Sequence, residues 1–244
     1  MGDVFTTLIM ATYRRGDRLR VALDCLAAST WRPEEIIIVS DGDSAAKPIV
    51  ENYSWAHYLE VPHGGVYKAW NTAIKLSKGN FITFMGDDDM VTTTYYNDMI
   101  NAIKADEYKH NFYYQRWAIA RGRITGKLLW RTELKAYDEL SAKNNFPVET
   151  IRTQTGRLPS GGSFIRRSLY DVELYDATFA ACEDTYWFIR RAIDGTLKPL
   201  RVNVEGYTWY RNNREDDNVS RKPVNRRPTF RAMEAYLRER GYAW

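Results

Sequence analysis

The 244-residue sequence has only two cysteines, Cys25 and Cys182. Two thiols this far apart have neither the spacing of a zinc site nor the number that a disulfide framework needs, which excludes the small disulfide-stabilised secreted domains. Each cysteine lies in an apolar pattern of helical type. We therefore expect two buried free thiols and a reducing compartment.

Long hydrophobic runs are missing as well. No stretch reaches the roughly 18 apolar residues that a membrane-spanning helix needs, and the first residues lack a charged segment followed by an apolar signal core. We expect a cytoplasmic protein without a transmembrane segment. The glycine patterns G-x-x-x-x-G-K-[ST] and G-x-G-x-x-G are also absent, which disfavours a kinase and a Rossmann dehydrogenase.

The length and the 44% share of hydrophobic residues indicate one sizeable α/β domain. Through the first hundred residues, apolar runs of strand length alternate with helical periodicity, which is typical of βαβ units and a mainly parallel sheet flanked by helices. Strands are predicted at Phe5–Ala11, Ile36–Val39, Tyr58–Val61 and Phe81–Met85, with helices at Arg18–Ala28 and Val66–Ser77. Active residues of such sheets collect where the strands end.

The second half is less regular. It contains a loop-rich insertion at Gly122–Arg157, with an uncertain helix near Glu133–Lys143. Strands are predicted at Phe112–Ala120, Ser163–Arg167, Leu200–Val204 and Tyr207–Tyr210, with helices at Glu183–Ile193 and Pro228–Arg240. The last helix is basic and has proline near its first turn.

An acidic triplet, Asp87-Asp88-Asp89, follows the fourth strand and a glycine. Three crowded carboxylates repel one another unless a cation binds there, and hard cations such as Mg²⁺ or Mn²⁺ take carboxylate oxygens together with substrate phosphates. An exposed turn or a helix cap ahead of Thr92 is the alternative interpretation. Position and composition together favour a metal or phosphate site.

Two further loops at strand ends carry polar groups. Asp41 follows the second strand, where its carboxylate can accept hydrogen bonds from uracil or a ribose, although Asp-Gly pairs are also common in plain turns. The turn His63-Gly64-Gly65 opens a helix that carries Lys68 and Asn71. Backbone amides at a helix start, together with a lysine, can hold a diphosphate.

The later helix begins with Glu183-Asp184. Acidic residues in a first turn are stabilised by the helix dipole, so capping explains them without any function. A carboxylate held rigidly at a helix start is equally suited to act as a general base for a hydroxyl nucleophile. The residues alone leave both interpretations open.

Taken together, these motifs resemble glycosyltransferase family 2, the inverting enzymes of the GT-A fold. The similar elements follow in order over about residues 5 to 195: Ala11-Thr12-Tyr13-Arg14, Ile36–Ser44, Gly64–Asn71, Gly79–Asp89, Gly162–Arg167 and Glu183–Arg191. The resemblance implies a Rossmann-like, mainly parallel central sheet flanked by helices, with a small antiparallel part on the acceptor side. It also implies a donor-binding half at 1–110, an acceptor and catalytic-base half at 111–210 and a basic tail at 211–244.

Residue by residue, the resemblance implies a donor site. Thr12, Tyr13 and Asp41 would hold the nucleoside beside Arg14. Lys68 and Asn71 would lie near the diphosphate or ribose. The acidic triplet would be the DXD element, with Asp89 as the best metal ligand and Asp87 or Asp88 on the ribose, Asp87 being the second metal candidate.

The resemblance also implies the chemistry. Asp184 would be the catalytic base, with Glu183 as the alternative, and Mn²⁺ or Mg²⁺ would neutralise the departing diphosphate. The donor would be a nucleotide-diphosphate sugar, with UDP favoured. Because the sequence lacks a Gln-x-x-Arg-Trp motif, one sugar moved to a glycan or lipid-linked acceptor fits better than a processive polymerase. Ser40 and Lys68 depart from the family pattern, which more often has an acid and an arginine there.

Three rival functions remain open. A sugar-phosphate nucleotidyltransferase is disfavoured because Thr12–Gly16 is not a glycine-rich basic loop. A noncatalytic nucleic-acid-binding module could use the basic, aromatic tail Trp209–Arg240, and a transferase acting on modified DNA bases would combine the two sites. A solvated basic helix is the plainer explanation of that tail.

Overall fold

The computed structural model describes residues 4–115, 117–121, 133–135, 160–211 and 223–242. Four parallel strands form the first part of a seven-stranded sheet, in the order β4-β1-β2-β3. They are β1 (Thr6–Thr12), β2 (Glu35–Asp41), β3 (His57–Val61) and β4 (Phe81–Phe84). In this register Met10 lies opposite Ile38. The connections contain α1 (Gly16–Ala27), a 3₁₀ turn (Ser44–Ala46), α2 (Lys47–Val50) and α3 (Val66–Leu76).

The other half of the chain completes this sheet and adds a smaller one. In the large sheet, β9 (Phe164–Arg166) runs antiparallel between β4 and β6 (Phe112–Tyr114), and β10 (Pro199–Arg201) lies parallel to β6. The small sheet has the order β5-β11-β7-β8. Its strands are β5 (Met90–Val91), β7 (Trp117–Arg121), β8 (Glu133–Lys135) and β11 (Tyr207–Arg211). The remaining helices are α4 (Tyr95–Ala105), α5 (Ser168–Val172), α6 (Glu183–Ile193) and α7 (Pro223–Glu239).

Alternation along β1 divides the core between the two faces of the large sheet. Leu8 and Met10 pack with residues of α1 and α4, whereas Ile9 packs with residues of α3 and α6. Successive side chains of a strand point to opposite faces, so one fully buried strand supplies both layers. Helix α7 packs on α6 through Met233 and Leu237.

The predicted α/β architecture with a mainly parallel sheet is confirmed, and the strands of the first half lie within two residues of their predicted limits. The single strand predicted at Phe112–Ala120 is wrong. The chain leaves the large sheet after Tyr114 and pairs again as β7, in the small sheet. The predicted strand therefore contains strands of two different sheets, and the polar pair Gln115-Arg116 separates them in the sequence.

Two helix predictions need correction, and one helix was not predicted. Glu133–Lys135 is a strand paired with β7 rather than the start of a helix, and the rest of that predicted helix lies outside the described residues. Helix α7 begins five residues before its predicted start and contains Pro228 in its interior. Helix α4 was not predicted, although Met99, Ile100 and Ile103 give the spacing of a buried helix face.

The two cysteines are free, as expected, and Cys182 is buried whereas Cys25 is only partly so. Burial is the main cause that raises the pKa of Cys25. Cys182 is not helical: it precedes α6 with φ of 63°. Within the described ranges, no helix combines the length and apolarity that crossing a bilayer requires.

Candidate active site at the carboxyl edge of the sheet

Because β1, β2 and β4 are parallel, the loops that follow them meet at one edge of the sheet. The structure brings together Thr12 after β1 and Asp87 after β4, since the Thr12 hydroxyl donates to Asp87 Oδ2 at 2.9 Å. Arg15 Nη1 donates to Asp87 Oδ1 at 3.0 Å. Burial raises the pKa of Asp87 to about 6, although the Arg15 charge opposes this rise and Asp88 adds to it.

Asp88 is the most accessible member of the triplet. Its side chain is 18% exposed, against 4% for Asp87, and its Oδ2 lies 3.4 Å from Arg15 Nη1 and 3.6 Å from Arg18 Nη1. Two guanidinium groups therefore supply positive charge beside the carboxylates. This edge of the sheet can hold both a cation and an anionic ligand.

Asp89 lies in the interior. Its Oδ2 accepts hydrogen bonds from the Tyr207 hydroxyl at 2.6 Å and from the Gly86 amide at 3.1 Å, and the residue is 5% exposed. Both of these hydrogen bonds are to Oδ2, and the expectation that Asp89 is the best metal ligand stays a prediction. Asp88, with Asp87, is a second candidate pair, because its carboxylate is more exposed.

The oxygen donors of Asp87 and Asp88 suit a hard divalent cation, which often takes only one or two protein carboxylates along with substrate phosphates. Among the described residues, no group of three or more histidine, cysteine or acidic side chains converges on a metal site. The residues present therefore fit a cation that the substrate helps to bind. They do not distinguish Mn²⁺ from Mg²⁺.

The Asp41 carboxylate holds the glycine turn. Its Oδ1 accepts from the Gly64 amide at 2.7 Å and its Oδ2 from the Gly65 amide at 3.0 Å, while His63 Nδ1 lies 3.0 Å from Oδ2. Gly65 has φ of 90°, a conformation that disfavours other residues. The carboxylate thus fixes the backbone that opens α3.

An aromatic surface lies beside this turn. The rings of Tyr13 and His63 stack with centroids 4.4 Å apart, and the Arg14 guanidinium lies 5.0 Å from the Tyr13 ring centroid. The Arg14 amide donates to Asp43 Oδ2 at 2.8 Å, which holds the loop after β1 against the loop after β2. This group is suited to stacking on a nucleobase.

Lys68 and Asn71 have different surroundings. Lys68 is exposed and its side chain lies against Gly64. The side chain of Asn71 makes two hydrogen bonds to the backbone of Tyr175. Asn71 Nδ2 donates to the Tyr175 carbonyl at 2.7 Å, and Asn71 Oδ1 accepts from the Tyr175 backbone amide at 3.1 Å. The expectation that Asn71 contacts the diphosphate or ribose therefore does not fit the structure, since both of its polar atoms hold a remote chain segment.

Glu183 and Asp184 are adjacent in sequence and opposite in environment. Glu183 is wholly buried, and its Oε1 accepts from Arg190 Nη2 and from the Asp176 amide, both at 2.8 Å. Burial raises the pKa of Glu183, although the hydrogen bond and charge of Arg190 oppose that rise. The Glu183 carboxylate is thus part of an internal ion pair with Arg190.

Asp184 is half-buried and is held by two hydroxyl groups. Tyr67 donates to its Oδ1 at 3.2 Å, and Ser160 donates to its Oδ2 at 2.8 Å. The segment after Ser160 runs beside the end of β4, where Gly161 forms a β-bridge with Phe84 and the Gly162 amide donates to the Phe84 carbonyl at 2.7 Å. Asp184 therefore lies near the loop that carries the acidic triplet.

Five residues of this region were missed by sequence reasoning: Arg15, Arg18, Tyr67, Ser160 and Tyr207. Arg15 lies in the loop after the first strand and Arg18 in the first turn of α1, so their position alone could have indicated them. The three hydroxyl residues gave no such signal. Their partners are at least 24 positions away along the chain.

Comparison with known proteins identifies the family. The model of glycosyl transferase family 2 matches residues 7–172, more than half of the chain. An uncharacterized glycosyltransferase of Escherichia coli K12, YibD, is 30% identical over 106 residues, covering 41% of this chain and 31% of its own length. YwdF of Bacillus subtilis, also an uncharacterized glycosyltransferase, is 24% identical over 212 residues, covering 79% of this chain and 69% of its own.

A solved structure of S. aureus TarS (1–349), in complex with UDP-GlcNAc, has a TM-score of 0.67 and 19% identity. The match covers 88% of this chain and 60% of the TarS 1–349 chain, and the chain matches 31% of the length of YibD, so it spans only part of these relatives. At this identity the likeness concerns the fold, and it confirms the expected GT-A architecture. Because the family model matches residues 7–172, the chain belongs to glycosyl transferase family 2.

Proposed function

We propose that this chain is a metal-dependent inverting glycosyltransferase. It moves a single sugar from a nucleotide-diphosphate sugar, with a UDP-sugar favoured, to a hydroxyl group of a glycan or lipid-linked saccharide. The observation that carries the proposal is the position of Asp184, whose carboxylate is held by Tyr67 and Ser160 near the loop of Asp87 and Asp88. Family membership favours this function over a nucleotidyltransferase or a nucleic-acid-binding module. None of the comparisons points to a DNA acceptor.

The donor side extends from the aromatic stack to the acidic triplet. Tyr13 would stack on the nucleobase beside Arg14, and Thr12 and Asp41 would line the nucleoside pocket, Thr12 through its bond to Asp87 and Asp41 through the Gly64-Gly65 turn. The exposed Lys68 is free to turn from Gly64 toward a phosphate. That TarS was solved with UDP-GlcNAc supports a UDP-sugar as the donor here.

Asp88 and Asp87 would hold the divalent cation, Mn²⁺ or Mg²⁺, together with the diphosphate. Charge that develops on the departing diphosphate would be offset by that cation. Arg15 and Arg18 lie within 3.6 Å of Asp88 and would be released toward the phosphates when the carboxylates change partners.

Asp184 accepts the proton of the acceptor hydroxyl while that oxygen attacks the anomeric carbon. The new glycosidic bond forms as the bond to the diphosphate oxygen breaks on the opposite face, so the configuration is inverted and the nucleoside diphosphate leaves. Residues 1–110 form the donor half in this proposal, residues 111–210 the acceptor and base half, and residues 211–244 a basic tail.

The first test is calorimetric titration of UDP, and then of GDP, with and without Mn²⁺. We expect one nucleotide to bind only with the metal, and Asp88→Ala to abolish that binding. Asp171→Ala is the matched control, because Asp171 is exposed in α5 and pairs only weakly with Arg167, at 3.7 Å. If neither nucleotide binds the wild type with metal, the transferase proposal fails.

A further inference from the structure

We propose that Tyr67 is a positioning residue for the base Asp184 and that Ser160 provides the second contact of the same device. This inference rests on the proposed function. It adds a role for α3, because the helix that begins at the donor-side glycine turn also holds the base. Tyr67 is the second residue of α3 and is 5% exposed.

The hydrogen bonds at Tyr67 fix the direction of its single proton. The Glu183 amide donates to the Tyr67 oxygen at 3.0 Å, and the Tyr67 hydroxyl in turn donates to Asp184 Oδ1 at 3.2 Å. An ionised carboxylate can only accept hydrogen bonds. The arrangement therefore presents a donor to the ionised form of Asp184, which is the form that a general base needs.

Each Asp184 oxygen has its own donor, since Ser160 occupies Oδ2 at 2.8 Å. Two donors on different oxygens restrain rotation of the carboxylate. A misplaced catalytic group can cost about 100-fold in rate even when the displacement is only about 1 Å. The two hydroxyls would thus act through geometry, without touching the substrate.

The Tyr67 ring is held in place by contacts with neighbouring aromatic residues. The ring packs against Trp70 and Tyr175 at centroid distances of 5.5 Å and 5.6 Å. Asn71, one turn along α3, fixes the Tyr175 backbone through both of its amide atoms. The start of α3 is fixed in turn by Asp41, through the Gly65 amide. Helix α3 therefore connects the donor-side turn with the hydroxyl that holds Asp184.

Tyr67→Phe removes the hydroxyl and keeps the ring. With water as the acceptor of the sugar, we expect kcat for UDP release to fall about 10- to 100-fold, with KM for the UDP-sugar and Kd for UDP within about twofold of wild type, because the donor contacts remain. The probe is whichever of UDP-glucose, UDP-galactose and UDP-GlcNAc the wild type turns over fastest, with Mn²⁺ present. Ser160→Ala should lower kcat in the same selective way and, as a small change at a partly exposed site, tests the proposal if Tyr67→Phe does not fold.

Tyr113→Phe is the matched control. The Tyr113 oxygen also accepts from a backbone amide, that of His110 at 3.1 Å, and donates to a carboxylate, Asp106 Oδ2 at 2.7 Å. This variant loses the same kind of buried bond elsewhere and should keep wild-type kcat. In an Asp184→Asn background, Tyr67→Phe should have no further effect, since its role passes through the carboxylate.

The outcomes separate the two proposals. If no UDP-sugar is turned over by the wild type, or if Asp184→Asn keeps wild-type kcat, the proposed function or its base is wrong and the positioning role goes with it. If Asp184→Asn is impaired while Tyr67→Phe and Ser160→Ala keep wild-type kcat, only the positioning role is overturned. A loss in Tyr67→Phe that is equally large with Tyr113→Phe, or that adds fully to Asp184→Asn, also overturns it.

Discussion

The Tyr207 hydroxyl donates to Asp89 Oδ2 at 2.6 Å, which joins the small sheet to the acidic triplet. Tyr207 is 1% exposed and also accepts from the Gly86 amide at 3.4 Å. The last aspartate of the triplet is therefore part of the internal structure, whereas the middle one, Asp88, is more exposed and lies beside Arg15 and Arg18. Adjacent acids in one motif have separable roles.

Asp89→Ala should consequently reduce stability, whereas Asp88→Ala should reduce UDP binding. Asp89→Ala leaves the buried Tyr207 hydroxyl without its acceptor, which should lower the free energy of unfolding by about 1–3 kcal/mol. Asp88→Ala should keep the stability within about 0.5 kcal/mol and lose metal-dependent UDP binding. Urea unfolding and calorimetry on both variants test the pair. Full UDP binding by Asp88→Ala would return the metal to Asp89.

Substitutions of Glu183 and of Asp184 should likewise differ, the first affecting stability and the second affecting kcat. Glu183→Gln weakens a buried ion pair with Arg190. We expect the free energy of unfolding to fall by about 2–3 kcal/mol. This is less than the usual cost of breaking such a pair, because Glu173 still contacts Arg190 at 3.1 Å. Asp184→Asn should keep the melting temperature and lower kcat by about 1000-fold. Differential scanning calorimetry and UDP release give the two readouts. An inactive but fully stable Glu183→Gln would make Glu183 the base.

The regular elements could be predicted where local pattern and fold agree. Helix α6 has its predicted limits, Glu183–Ile193, because acids in its first turn and an apolar face behind them mark it in the sequence. The break after Tyr114 has a local signal in the polar pair Gln115-Arg116, but the sheet that each half joins could not be predicted, since it depends on pairing with distant strands.

The sequence indicated which residue types collect at this edge of the sheet, but not the direction in which each side chain points. Sequence position placed the triplet and Glu183-Asp184 at the ends of elements, but which of two adjacent acids turns inward depends on partners far along the chain, such as Tyr207 for Asp89. Asn71 shows the same effect, as its partner Tyr175 is 104 residues away. Such contacts leave no local signal.

Gly65 gives a test of the donor turn. At φ of 90°, an added Cβ meets no atom within 4 Å, so Gly65→Ala should cost about 1–3 kcal/mol through backbone strain alone. The turn should relax away from Asp41, and UDP should bind at least about tenfold more weakly, since the helix start no longer presents its amides. Gly195→Ala is the control: φ is 70°, the space is open and the residue follows α6. Equal loss of UDP affinity in both variants would show that the effect is not specific to the turn.

Asp106 gives the protein a predictable pH dependence away from the site. Burial acts to raise the pKa of this carboxyl, but hydrogen bonds from His110 and Tyr113 outweigh it, and the pKa falls below the usual 3.8. Since the folded-state pKa is the lower one, the contribution to stability is present above the unfolded value of about 3.9 and is lost as the pH falls through the folded value.

Asp106→Asn should therefore be about 1 kcal/mol less stable than wild type near neutral pH, and this difference should shrink below about pH 4. Urea unfolding of both proteins at about pH 7 and about pH 3 measures it, with Asp171→Asn as an exposed control that should differ little at either pH. A difference that stays constant across this range would mean that the carboxylate charge at Asp106 contributes nothing and that shape alone fixes the loop between α4 and β6.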